Sequence, residues 1–365
     1  MKKTILFAFL LVSVNFLFSQ IKPTGLVTSK AMVVSAREEA SRLGSEIMQK
    51  GGNAFDAMIV TELALAVAYP YAGNIGGGGF MVYRKSNGEV GSLDYREKAP
   101  MAASKDMFLD QDGNVIQGLS TESGLAVGVP GTIAGMFAVH EKFGSLPMEE
   151  LLKPIIALAK KGVIVTAKQE ERLQKYRASI IKANGDKTLL AQAFKQNDTI
   201  KYKALAKPFE RILKNGKSEF YEGETAKKLV DYLQSKGGNM TLEDLANYEA
   251  KWRNPIVYTY KDYKVISMAP PSSGGITLGQ ILKMIEPYNL EKMGYHSAAY
   301  IQVLVEAERR AYADRNHFLG DPDFIKIPTK ELLDATYLKN RMNSFSFNQA
   351  TVSSEIAHGS ISFNE

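Results

Sequence analysis

The chain has 365 residues, 45% of them hydrophobic and 23% charged, which is the composition of a globular protein and excludes a disordered or fibrous one. It contains no cysteine, so disulfides, thiolate nucleophiles and Cys-ligated zinc are excluded together. The net charge of +6 comes partly from lysines between Lys160 and Lys217, which read as solvated helix faces; no nucleic-acid-reading module accompanies them, and no nucleic-acid partner is expected.

Lys2 and Lys3 precede an apolar run from Ile5 to Phe18, which ends at Ser19-Gln20. A charged start, a short apolar run and small or polar residues after it describe a secretory signal peptide over residues 1–20, with an uncleaved anchor as the alternative. The run is short for a spanning helix, which needs about 20 apolar residues. Export to the periplasm or the outside is therefore expected. A chain of this size can supply a sufficient core without disulfides.

Ser35-Ala36-Arg37-Glu38 has the pattern of a capping box, and Ala36, Ala40, Leu43 and Ile47 follow at helical spacing up to Gly51-Gly52. Asn53 is the expected N-cap of a second helix running to Pro70, apolar on nearly all sides and hence buried. Phe80 to Tyr83 and Val90 to Tyr95 read as strands joined at Asn87-Gly88, two residues that accept positive φ. Pro130 suits a first helical position and Gly144 an end. Further helices are expected over Leu151 to Lys160, Ala167 to Lys182, Thr225 to Lys236, from Thr241, near Ile276 to Ile285, and over His296 to Arg315. A second hairpin pairs Ile256 to Tyr260 with Tyr263 to Met268. Residues 343–365 are polar and weakly periodic, and read as an exposed tail.

Two features point to chemistry. Gly76 to Gly79 are four consecutive glycines, costly to order and tolerated where backbone passes very close to something or adopts dihedrals closed to other residues. Either a structural turn or a site-shaping loop satisfies that demand. The loop opens a strand rather than a helix, and no Walker lysine or dinucleotide spacing follows, so no nucleotide site is expected. Arg96 then leaves the end of a strand. Its planar fork can hold a carboxylate through two parallel bonds; the competing reading is a salt bridge to Glu97 or Asp94.

Ser272 and Ser273 lie in a Pro-Pro-Ser-Ser-Gly-Gly turn, not a Gly-x-Ser-x-Gly elbow, and read as helix-capping hydroxyls. His140, His296, His317 and His358 show no metal spacing, and Asp321-Pro322-Asp323 reads first as a turn. No metal or other cofactor is expected.

Several stretches together resemble the γ-glutamyltranspeptidase (glutathione hydrolase) family. They are Gly51-Gly52-Asn53-Ala54-Phe55-Asp56-Ala57, Ala72 to Phe80, Asp94-Tyr95-Arg96-Glu97-Lys98-Ala99-Pro100, Val129-Pro130-Gly131-Thr132, Pro270 to Gly275, Ala311 to Arg315 and Leu319 to Asp323. They stand in the family's order. The resemblance implies an α+β, N-terminal-nucleophile hydrolase αββα sandwich, two sheets between helical layers. It implies a precursor that cuts itself into two subunits, freeing a threonine that is both nucleophile and, through its α-amine, base. That threonine attacks the γ-glutamyl amide of glutathione or another γ-glutamyl compound and passes the acyl group to water or an acceptor amino acid. No Thr-Thr-His or Thr-Ala-His junction occurs between Ser344 and Glu365, and Thr351 is in a different context. The nucleophile is therefore expected after Glu365, with no catalytic residue in this chain. Residues 21–342 resemble the large-subunit portion, which partners a small subunit. Arg96 matches the family's binder of the substrate α-carboxylate. A same-fold acylase, a poly-γ-glutamate-processing enzyme and a non-catalytic carboxylate-binding protein are the alternatives.

Overall fold

The computed structural model describes residues 25–362; the expected signal peptide at 1–20 lies outside them. Helix α1 (Glu38–Gln49) buries Ala40, Leu43, Gly44 and Ile47, one face at helical spacing. Its expected capping box does not form. The helix begins at Glu38 with Arg37 as N-cap, and the Ser35 hydroxyl donates to the Arg37 carbonyl at 2.8 Å instead.

The box occurs one helix later. Asn53 accepts from the Phe55 and Asp56 N–H groups while Asp56 accepts from the Asn53 N–H, starting α2 (Ala54–Ala68). Asp56 is fully buried and also takes the Ser145 N–H and hydroxyl, so the box ties α2 to the end of a later helix. As its apolar circumference predicts, α2 is a central helix. It packs between α1, α3 (Thr132–Phe143) and α4 (Met148–Lys161). Ile59, Val60 and Leu63 are at most 1% exposed, each contributing about 1.5–3 kcal/mol of burial. Pro130 lies before the N-cap Gly131 of α3 rather than inside the helix, and Gly144 is its C-cap.

Strands β1 (Phe80–Arg84) and β2 (Val90–Asp94) pair antiparallel with Phe80 opposite Asp94 and Arg84 opposite Val90. In the connecting turn Gly88 has φ +89°, whereas Asn87 stays at negative φ. Helix α5 spans Ala167–Asn184, and a two-residue ladder joins β3 (Val163–Ile164) to β4 (Thr199–Ile200). Helix α6 (Lys203–Asn215) is not among the expected elements: Pro208 lies inside it, yet Ala206, Phe209 and Ile212 form a buried stripe. Helix α7 is Glu224–Ser235, and Thr241 with Asp244 forms a second capping box on a short helix.

The third strand, β5 (Lys251–Arg253), is too short to show alternation in the sequence. It pairs with β2, giving the sheet order β1-β2-β5 with Leu93 opposite Trp252. The expected second hairpin forms from β6 (Ile256–Tyr260) and β7 (Tyr263–Ser267), with Ile256 opposite Ser267 and Tyr260 opposite Tyr263. It packs on α8 (Gly274–Ile285), which in turn packs on α9 (Ala298–Phe318) and α10 (Ala335–Arg341). The main hydrophobic core runs from Ala40 to Tyr248, and two smaller clusters lie around α8, α9 and the β6-β7 hairpin.

Residues 343–362 are largely exposed, but they are fixed to α9 by contacts that their composition does not advertise. Thr351 bonds Glu306 through its N–H (2.9 Å) and hydroxyl (2.7 Å), and the Gly359 N–H reaches Asp314 at 2.8 Å. Among the described residues no helix is long and apolar enough to cross a membrane.

Candidate functional site

A cleft of about 600 Å³ opens where the residues after β2 face β5, the Pro271–Ser273 turn and the loop after α9. Arg96 lines it, exposed, and among the described residues its guanidinium makes no ion pair. The competing salt bridge is not formed. Asp94 spends one oxygen on the Arg96 backbone N–H (3.1 Å) and the other on Arg253 Nε (2.8 Å). Arg253 also forks onto Asp323, with both contacts at 3.2 Å, and Lys251 reaches the same carboxylate at 2.7 Å. These two cations hold the Asp323 carboxyl down at about 2. The network clamps the loop after α9 onto β5 and keeps the Asp94 carboxylate occupied, two residues from Arg96.

The backbone of Arg96 is fixed from behind. Tyr95 is 3% exposed and exchanges backbone hydrogen bonds with Gly79, at 3.2 and 3.0 Å. The Tyr248 hydroxyl donates to the Arg96 carbonyl at 2.7 Å, and its ring stacks on Tyr221, whose hydroxyl bonds Pro130 O and Ala134 N–H. Burial pushes the Tyr248 phenol far above its ordinary value, so it stays a neutral donor.

The glycine run serves this packing. None of Gly76 to Gly79 has positive φ. A Cβ on Gly78 would lie 2.4 Å from Tyr95 O and 2.8 Å from Glu97 N, and one on Gly131 would lie 1.9 Å from Tyr95 O. The Gly77 carbonyl accepts from Gly131 N–H (2.8 Å) and Thr132 N–H (3.0 Å), occupying donors at the start of α3. Close backbone approach therefore decides between the two demands that glycine can meet. Gly76 to Gly79 do not line the cleft; Gly78 lies against the backbone of Tyr95 to Glu97 and Gly79 against the Tyr95 ring.

Of the two serines, Ser272 accepts from Gly274 N–H at 3.3 Å, a loose cap, whereas Ser273 stands at the N-cap of α8 without a capping bond. Its hydroxyl instead accepts from Arg315 Nε at 3.2 Å. Asp321 and Asp323 form the expected turn, with Asp323 N–H bonded to Asp321 Oδ1 at 2.9 Å. His140 bonds the Leu146 carbonyl, and His317 stacks on His358 with centroids 3.5 Å apart. No cluster of metal-ligating side chains occurs among the described residues. Sequence reasoning reached Arg96 and missed Tyr248, Lys251, Arg253, Arg315 and Asp323 as its company. A basic-aromatic-basic triplet, Lys251-Trp252-Arg253, was the one available hint that a short strand carries two cations to one place.

Residues 40–364 match the family model described as gamma-glutamyltranspeptidase. The glutathione hydrolase proenzyme of Escherichia coli (strain K12) is 41% identical over 336 residues, which are 91% of this chain and 58% of that relative. Among solved structures, the γ-glutamyltranspeptidase of Helicobacter pylori superposes with a TM-score of 0.88 at 41% identity, covering 91% of this chain and 97% of that one. That of Pseudomonas nitroreducens, complexed with L-DON, gives 0.85 at 38% identity, covering 91% and 99%.

The fold is thus the α+β class of N-terminal-nucleophile hydrolases, with the helices, the β1-β2-β5 sheet and the second hairpin as the parts carried here. The chain belongs to the γ-glutamyltranspeptidase family, and it spans 58% of the length of the Escherichia coli relative.

Proposed function

We propose that the chain supplies the large-subunit portion of an exported γ-glutamyltransferase and glutathione hydrolase. In this reading Arg96 holds the α-carboxylate of the γ-glutamyl group. The threonine that breaks the γ-glutamyl amide belongs to the part of the relatives' length that this chain does not span, and a small subunit is the partner. Glutathione and other γ-glutamyl compounds are the donors, with water or an amino acid as acceptor.

The observation that supports the reading most is the guanidinium of Arg96, which makes no ion pair among the described residues, at a cleft where the cations of the facing strand, Lys251 and Arg253, are already matched to carboxylates. An arginine released from its neighbours and held rigid through its backbone is suited to a ligand's carboxylate.

The test uses the complete, processed protein. Arg96→Ala removes a charge-assisted contact of roughly 1.5–3 kcal/mol, so KM for glutathione is expected to rise about 10- to 100-fold. Arg96→Lys keeps the charge but not the fork and recovers part of the loss. Unchanged KM in Arg96→Ala removes this arginine from the site.

A further inference from the structure

The charges lining the cleft do not cancel in pairs. Its cations are Arg96, Lys98, Lys251, Arg253 and Arg315; its carboxylates are Asp94, Glu97, Asp321 and Asp323. Asp94 and Asp323 are consumed by Arg253 and Lys251, Asp321 is turned onto the Asp323 N–H of its own loop, and Glu97 stands exposed beside Arg96 with no ion pair among the described residues. Lys98 sits 5.2 Å over the Tyr248 ring. A second guanidinium makes no ion pair among the described residues. Arg315 is exposed, and among the described residues its side chain is bonded only to neutral groups, the Ser273 hydroxyl (3.2 Å) and Asn316 Oδ1 (3.0 Å).

Arg315 is nonetheless a held group. It lies in the last turn of the long helix α9, where a cation is favoured by the helix dipole and needs no counter-ion to be stable. The Ser273 contact takes its Nε and the Asn316 contact one terminal nitrogen, which fixes the fork and leaves Nη2 without a partner among the described residues. Beside it the cleft is apolar: Pro271, Leu319 and Phe324 line it, and Phe324 is 86% exposed. An anion here would meet a cation and a hydrocarbon wall together. That combination suits the carboxylate of an amino acid or short peptide more than a phosphate, which brings no apolar part.

We infer that Arg315, oriented by Ser273, is the second carboxylate-binding position of this cleft. It takes the C-terminal carboxylate of the amino acid or dipeptide that leaves or accepts the γ-glutamyl group. The inference rests on the proposed transferase reading and adds the recognition of the second substrate. In the transfer the donor's γ-amide C–N bond breaks and a C–N bond to the acceptor amine forms. The acceptor amine loses one proton and the departing amine gains one, with no oxidant or reductant. Two carboxylates on the reacting pair, one on the glutamyl group and one on the acceptor, match the two unpaired arginines.

The experiment measures transfer by the complete, processed protein from a γ-glutamyl anilide, comparing glycylglycine with glycylglycinamide, which differ only in the terminal carboxylate. The wild type is expected to favour glycylglycine in acceptor KM. Arg315→Ala should raise that KM about 10- to 100-fold and abolish the advantage over the amide, with partial recovery in Arg315→Lys. An unchanged acceptor KM in Arg315→Ala with the preference intact overturns the inference, as does a wild type that uses the amide equally well. If Arg315→Ala does not fold, Arg315→Lys and the wild-type comparison still decide. A complete wild-type protein with no γ-glutamyl turnover overturns the enzymatic reading itself, a result distinct from failure at Arg315 alone.

Discussion

The Tyr248 hydroxyl donates to the backbone carbonyl of Arg96 at 2.7 Å, across 152 residues of sequence. The exposed arginine is therefore anchored through its main chain by a buried aromatic pair, Tyr248 and Tyr221, rather than by its own side chain. Tyr248→Phe keeps the stack and deletes this one bond. It is expected to cost about 1 kcal/mol in a thermal or denaturant melt and to raise the KM of a carboxylate substrate severalfold. A loss of stability with KM unchanged would limit Tyr248 to a packing role.

The glycines before β1 are not equivalent. Gly78 has no room for a methyl group, since Tyr95 O and Glu97 N, both backbone, lie 2.4 and 2.8 Å from the ideal Cβ. At Gly76 the nearest atom is a side-chain oxygen of Asn74 at 3.6 Å, an ordinary contact. Gly78→Ala should therefore destabilise by about 1–3 kcal/mol or more and displace the strand end carrying Arg96. Gly76→Ala should stay within about 0.5 kcal/mol. Equal melts for the two variants would refute the close-approach account.

Arg253 keeps Asp94 occupied. In Arg253→Ala the Asp94 carboxylate loses its partner two residues from Arg96, and Asp323 loses the fork that clamps the cleft loop to β5. The expected outcome is a loss of about 1–3 kcal/mol and a raised KM for carboxylate substrates, since Asp94 then competes for Arg96. Arg253→Lys restores the charge and part of the KM. Kinetics of the two variants side by side check this, and identical KM values in both would count against it.

Glu306 and Arg310 are 2% and 1% exposed, one turn apart on α9, and joined by an ion pair. Burial pulls the Glu306 carboxyl upward, but the bonds from Arg310 and Thr351 outweigh it and leave the pKa at about 2, against 4.5 ordinarily. A carboxyl whose folded pKa is depressed stabilises fully above its unfolded value and loses that contribution as pH falls toward the folded one. Stability should therefore drop between about pH 4.5 and pH 2. Asp323, also held at about 2, adds to the loss in the same direction. Glu306→Gln should flatten this acid slope and cost about 3–5 kcal/mol at neutral pH, because Arg310 is left buried without its counter-charge. A pH–stability profile of both proteins measures it.

Much of the local structure was legible. The buried α2 announced itself by apolar residues on nearly every side, and the first hairpin by Asn87-Gly88 between two strand-forming runs. Where the reading slipped, a second local option of similar energy existed. Ser35 folds its hydroxyl onto Arg37 instead of capping α1, and Pro130 stops one place before the N-cap of α3. Helix α6 escaped because Pro208 argues against a helix locally, while burial of Phe209 and Ile212 overrides it. Thr351 and Gly359 lie in a stretch that reads as solvated, yet they bond buried carboxylates of α9.

Composition, periodicity and the ordered motifs determined the class of fold, most of the longer helices, both hairpins, and Arg96 as the residue to watch. These depend on neighbours in sequence, which a linear reading holds. What surrounds Arg96 was decided only when β5, Tyr248, the Ser273 turn and the loop after α9 came together in space. Whether a guanidinium is free or paired depends on which distant carboxylates reach it and which are already taken, and tertiary packing alone sets those distances.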